Sequence, residues 1–207
     1  MRSAALVSAV FSTALVIVRF TRQAPQITGN PTGVVYEAFL PEEAFSAKET
    51  LKGNIKGYIR AESPPDGVGV KFTVNFENLP ADGGPFGYHV HAEAVPKDGN
   101  CTKALSHLDP FGRGEKPPCD TSALQSCQVG DLSGKHGKAT ENPFQVQYLD
   151  HFVSLKEGDE SFLGSRSFVV HFGNSTRITC ANFVKKEASA SAKYVNAKSG
   201  AACVGKP

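Results

Sequence analysis

The chain contains no CxxC pair, no internal repeat and no long segment with the 3.6-residue apolar period of an amphipathic helix. The missing CxxC removes support for a zinc ribbon or a thioredoxin-like redox motif, and the missing helical period argues against a bundle. Its longest largely apolar stretch, Ala4 to Val18, has fifteen residues, too few to span a bilayer comfortably. Nor is there an excess of one charge. Lys and Arg number 22 against 20 Asp and Glu, and Arg2, Arg19 and Arg22 lie in a first segment that has no acid. The 19 basic and 20 acidic residues that remain leave no electrostatic footprint for nucleic acid.

What is present is globular: 207 residues, 40% apolar and 20% charged, enough for one domain with tails. The charged start, short apolar core and polar stretch Arg19 to Gln26 predict a secretory leader over residues 1–22. The nearest small-x-small site, Ser12-Thr13-Ala14, would leave Leu15 to Val18 exposed, so the leader is expected but its cleavage point is not fixed. Export to the medium or the cell wall follows, with no stable membrane insertion once the leader is gone. Five cysteines (Cys101, Cys119, Cys127, Cys180, Cys203) in an exported chain read as a disulfide framework with one thiol left over. The sequons Asn100-Cys101-Thr102 and Asn174-Ser175-Thr176 would accept glycans in a eukaryotic secretory path. The Ala-, Ser- and Lys-rich tail, residues 185–207, is expected to be flexible and lacks the terminal apolar run of a lipid-anchor signal.

Between leader and tail, residues 30–184 read as one domain of short alternating runs separated by Gly, Pro, Asn and Asp. The clearest is Val70, Phe72, Val74 and Phe76; others are Val34 to Leu40, Asn54 to Arg60, Phe86 to Val95, Phe144 to Leu149, Ser167 to Phe172 and Thr176 to Val184. Seven or eight such strands predict an all-β, antiparallel Greek-key barrel or sandwich with long loops. Pro96 to Lys138 breaks the pattern and carries three of the five cysteines, and a loop of that length in a compact domain is usually functional.

All six histidines lie between positions 89 and 171. His89 and His91 flank Val90 in a strand-like run, and a period of two puts both imidazoles on one face, close enough for a single metal. His107 in the long loop and His171 at the end of an apolar run complete a candidate set of four. Such a set suits Cu, Zn, Fe or Ni, and ligand softness alone does not choose. His136 and His151 fall outside the pattern and are expected at the surface, and Asp109 and Glu115 are read as solvated loop charges. A cupin-type site also begins with HxH, but Glu93 comes too early for it.

Several segments, in order, resemble the copper/zinc superoxide dismutase family: Gly87-Tyr88-His89-Val90-His91, Cys101 followed six residues later by His107, Val129-Gly130-Asp131-Leu132, Leu163-Gly164-Ser165-Arg166 leading to Val169-Val170-His171, and Arg177 three residues before Cys180. The resemblance covers roughly Val34 to Val184. It implies copper held by His89, His91, His107 and His171, a bridge from Cys101 to Cys180, and Arg177 beside the metal as a clamp for the superoxide anion. It further implies that His107 is both ligand and proton donor in the disproportionation of superoxide to dioxygen and hydrogen peroxide.

Two departures narrow the resemblance. Of the family's zinc ligands only His107 and Asp131 remain, and Gln128 stands where a zinc-binding His is usual, so no zinc is expected. Only five residues, Phe172 to Thr176, separate His171 from Arg177, where zinc-containing members carry a longer charged loop. Together these resemble the copper-only enzymes that fungi secrete or display. In those proteins an acidic residue near the Gln128 position orients the loop histidine; with a glutamine here, Asp131 is the expected partner of His107. Cys119 and Cys127 are expected to pair and stiffen the loop, with either one pairing to Cys203 as the alternative. A monomer is favoured, and a copper-binding or structural surface module without turnover is the competing reading.

Overall fold

The computed structural model describes residues 22–46, 51 and 53–186. All of the expected leader except Arg22, and residues 187–207 with Cys203, lie outside the described residues.

Alternation in the sequence becomes eight strands: β1 (Val35–Phe39), β2 (Lys56–Glu62), β3 (Val70–Glu77), β4 (Gly87–His91), β5 (Phe144–Asp150), β6 (Ser167–His171), β7 (Arg177–Asn182) and β8 (Val184–Lys185). They form a five-stranded sheet in the order β5-β3-β2-β1-β8 and a three-stranded sheet in the order β4-β6-β7. Every pairing within them is antiparallel. The chain crosses from β3 to β4 in the opposite sheet, returns as β5 beside β3, and crosses again to β6, as a Greek-key sandwich requires.

In β3 the period-two pattern buries Val70, Phe72, Val74 and Phe76 while Lys71 and Glu77 face water. These side chains meet Tyr88 and Val90 of β4, Phe168 and Val170 of β6 and Ile178 of β7 across the sandwich. Phe76 stacks on Phe168 at a centroid distance of 6.1 Å, and truncating either fully buried ring would cost about 3–5 kcal/mol. The outer side of β6 is buried too: Val169 packs with Cys101, Ala104 and Cys180 in a second cluster beneath the long loop. That cluster includes the Cys101–Cys180 bridge, which spans 79 residues. Cys119 pairs with Cys127 within the loop.

The folded unit extends past both expected boundaries. Ala24 and Ile27 are buried, the Ala24 and Ile27 amides donate to Gln125 and His151 at 2.8 Å each, and the Asn30 side chain spans Gly69 and Leu155. At the other end Lys185 belongs to β8, and the Lys186 amide donates to the Val35 carbonyl at 2.9 Å, so these two residues of the expected tail are sheet-bound.

Candidate metal centre

One face of β4 carries His89 and His91, with Tyr88 and Val90 turned into the core. The neighbouring strand β6 ends at His171, opposite Gly87 in register. Gly87 leaves the space that the His89 ring needs, since a Cβ there would lie 3.1 Å from His89 Cε1. The loop after the 3₁₀ turn Cys101–Ala104 runs back antiparallel to the end of β4, with Ala92 N donating to Ser106 O at 2.9 Å. His107 is thereby placed opposite His91. One candidate ligand nitrogen from each of the four rings lies within 4.8 Å of the others, and among the described residues no other group of three or more His, Cys, Asp or Glu side chains converges in this way.

Each ring has one nitrogen tied outward. His91 Nδ1 donates to the Leu105 carbonyl at 2.9 Å and His171 Nδ1 to the Ser175 carbonyl at 3.1 Å. His107 Nδ1 donates to Gln128 Oε1 at 2.7 Å. His89 is turned the other way round: its Nε2 is 3.1 Å from Ser133 Oγ and 3.4 Å from Asp131 Oδ1, and its buried Nδ1 has no hydrogen-bond partner. The inward set is therefore Nδ1 of His89 and Nε2 of His91, His107 and His171. Two of these atoms, on His91 and His171, face each other at 3.2 Å; with both outward nitrogens protonated, two lone pairs oppose, an arrangement that a shared cation relieves. Burial pushes the imidazole of His91 down to about 2 and that of His171 down to about 4, and holds His89 well below the usual range, with the neighbouring histidines adding to the effect on His89. Neutral imidazoles are the form that binds a metal. An unpaired buried nitrogen and a four-imidazole donor set fit a copper ion.

Arg177 stands beside this cluster, in register with His171 on β7. Its guanidinium donates to the carbonyls of Cys101 and Leu105, so the Leu105 oxygen serves Arg177 and His91 together. Leu105 holds that oxygen in place from a backbone of φ 61° and ψ −144°, a region that L residues rarely enter.

A family model described as copper/zinc superoxide dismutase matches residues 55–202. The chain belongs to that family. A cell surface Cu-only superoxide dismutase of Arthroderma benhamiae is 39% identical over 195 residues, covering 81% of this chain and 50% of that protein. Cell surface Cu-only superoxide dismutase 5 of Candida albicans is 36% identical over 135 residues, covering 65% of this chain and 57% of that protein. The solved Cu(II) structure of Candida albicans superoxide dismutase 5 superposes with a TM-score of 0.63 at 31% identity, covering 74% of this chain and 93% of that one. The chain thus spans about half the length of the curated relatives it matches.

Gln128, not Asp131, is the partner of His107, and the Gln128 amide is held from behind by Asp109, with Nε2 to Oδ2 at 3.2 Å. The expectation that Asp131 orients His107 is therefore corrected: Asp131 caps the short helix α1 (Leu132–His136), accepting from Gly134 N at 2.8 Å, and its other contact is His89. The physical reason is the path of residues 128–131. Val90 N donates to Gly130 O and Gly130 N to Leu108 O, a close three-strand contact in which a Cβ on Gly130 would lie 2.2 Å from the Val90 carbonyl. Alternation along that segment puts Gln128 on the His107 side and Asp131 at the mouth of α1. Asp109, read as a solvated charge, also accepts from the amides of Arg113 and Gly114. His136 is not a surface residue either. It is largely buried, stacks on Tyr148 at 4.0 Å and meets Asp150 at 2.8 Å; His151 is half-buried. The five residues from Phe172 to Thr176 close a tight hairpin in which Phe172 N donates to Thr176 O at 2.9 Å.

Proposed function

We propose that the chain is a copper-dependent superoxide dismutase that works without zinc at a solvent-accessible site, exported to the medium or the cell wall. The observation that carries this reading is the convergence of four imidazoles on a point bordered by the unpaired Nδ1 of His89, with a guanidinium held one carbonyl away. The Cu-only names of the relatives support the absence of zinc, as does the neutral Gln128 amide beside His107.

In this reading His89, His91, His107 and His171 hold the ion, which supplies when bound the one-electron chemistry that turns two superoxide anions and two protons into dioxygen and hydrogen peroxide. Arg177 attracts the monoanion and orients it. Its fork is pinned by the Cys101 and Leu105 carbonyls, leaving further N–H donors for charge-assisted bonds to the anion. His107 is the ring best placed to hold a proton at Nε2 for the reduced oxygen species, because Gln128 fixes its Nδ1–H and the ring comes from a loop instead of a strand. The other three rings keep their tautomers through Ser133, Leu105 and Ser175.

Asn174 is the better glycan acceptor of the two sequons, because it is exposed on the β6–β7 hairpin. Asn100 is half-buried, with Oδ1 engaged by the amide and hydroxyl of Thr102. The leader over residues 1–22 and a monomeric state belong to the same reading.

The test is the rate of superoxide disproportionation, followed by pulse radiolysis, for the disulfide-intact protein carrying one copper and no zinc. A rate approaching about 10⁸–10⁹ M⁻¹s⁻¹ is expected. A rate equal to that of the metal-free chain would refute the dismutase reading and favour a copper-binding module.

A further inference from the structure

Behind the histidine cluster lies a buried ion pair that the reaction does not use. The side chains of Lys135 on α1 and Asp150 at the end of β5 are both fully buried, with Nζ and Oδ2 2.6 Å apart. The ammonium also donates to the Val129 carbonyl at 2.8 Å and lies 5.3 Å from the centre of the Phe152 ring. The carboxylate is completed by the Phe152 and Val153 amides at Oδ1 and by His136 at Oδ2. An apolar side chain would fill a dry site at less desolvation cost, so burial of this pair is weak evidence that it adds stability and directs attention to the groups it holds in place.

The geometry is specific. Val129 adjoins Gln128, whose amide orients His107. Lys135 lies two residues beyond Ser133 on the same five-residue helix, and Ser133 Oγ, which also accepts from Tyr88 N at 3.0 Å, orients His89. One ammonium therefore ties together the start of the segment that faces the loop histidine and the helix that faces the strand histidine. It anchors both to the five-stranded sheet through Asp150.

We propose that Lys135 is a positioning residue for the metal centre, its ammonium fixing from a single point the partners of His89 and His107. This rests on the copper reading for its purpose, yet it is tested on the metal-free protein. The variant carrying Lys135→Met with Asp150→Asn removes both charges together and avoids stranding either one. Ring ¹⁵N shifts of the metal-free variant should show His89 and His107 passing from single tautomers to mixtures, and its copper dissociation constant should rise about 10- to 100-fold. The control Ile59→Val, on β2 of the five-stranded sheet, should leave both readouts in place. A folded double variant with wild-type tautomers and copper affinity would overturn the proposal and leave the pair a purely structural role. Should the double variant not fold, amide exchange in the metal-free wild type decides: Gly130, Asp131 and Lys135 should open as one unit, and an α1 that opens while Gly130 stays closed would overturn it. Failure of the dismutase reading is recognised separately, as copper bound with wild-type tautomers and no turnover.

Discussion

Replacing both Cys101 and Cys180 by alanine tests how far the candidate site depends on a single covalent tie. The bridge closes 79 residues, and the chain-entropy relation gives about 4.5 kcal/mol of stabilisation for a loop of that length. Alanine suits the site because both positions are almost wholly buried beside Val169, where a serine hydroxyl would need a partner. For a domain of this size the loss should lower the melting midpoint by roughly 9–18 °C, measured by circular dichroism on the metal-free protein and checked by urea titration. The same arithmetic for Cys119–Cys127, which closes only 8 residues, gives about 2.5 kcal/mol. Two effects should accompany the larger loss. The Cys101 and Leu105 carbonyls gripped by Arg177 should loosen, and with them the support of His91. A cost below about 1 kcal/mol for the long bridge, or equal costs for the two, would refute the closure argument and place the anchoring of the loop in its packing instead.

Arg177→Ala should slow superoxide turnover roughly 10- to 100-fold, the loss of one charge-assisted interaction, while copper stoichiometry by atomic absorption stays at one; an unchanged rate would remove its assigned part. Gln128→Leu should weaken copper binding about 10- to 100-fold in a competitive chelator titration, and an unchanged affinity would remove its part in orienting His107. The metal-free protein should lose stability as the pH falls below about 6.5. Its native His89, His91 and His171 stay neutral where the unfolded chain takes up protons, so stability is present above the unfolded imidazole value and is lost below it. Each ring contributes up to about 1.4 kcal/mol per pH unit, His171 down to about 4 and His91 down to about 2. Urea midpoints at pH 7 and pH 5 measure it, and equal midpoints would show that the rings are not buried as neutral groups.

The strands were legible because a half-buried sheet imposes its period on the residues themselves, as Val70, Phe72, Val74 and Phe76 show. His89 and His91 follow the same rule, so their shared face could be read from spacing alone. The partners of the histidines were not legible in that way. Whether Gln128 or Asp131 meets His107 depends on how the loop threads between Val90 and Leu108, a matter of long-range backbone hydrogen bonds. The single turn Leu132–His136 is too short to display a helical period, and nothing in Lys135-His136 announces burial against Asp150, fourteen residues and more away in sequence. Asp109 was concealed for a similar reason: its value lies in a second link behind an uncharged amide.

The brevity of the turn from His171 to Arg177 bears on how the protein would work in media of different salinity. With only Phe172 to Thr176 between them, His171 and the guanidinium form one hairpin, and the attraction of an anion rests on Arg177 and on Lys138 near His89, with Glu115 acting against Arg177. A single short-range charge is felt within about one Debye length, some 8–10 Å at physiological ionic strength. Capture by such a site should therefore weaken as added salt shortens that length, from about 30 Å at 0.01 M to about 3 Å at 1 M, and should do so gently because few charges take part.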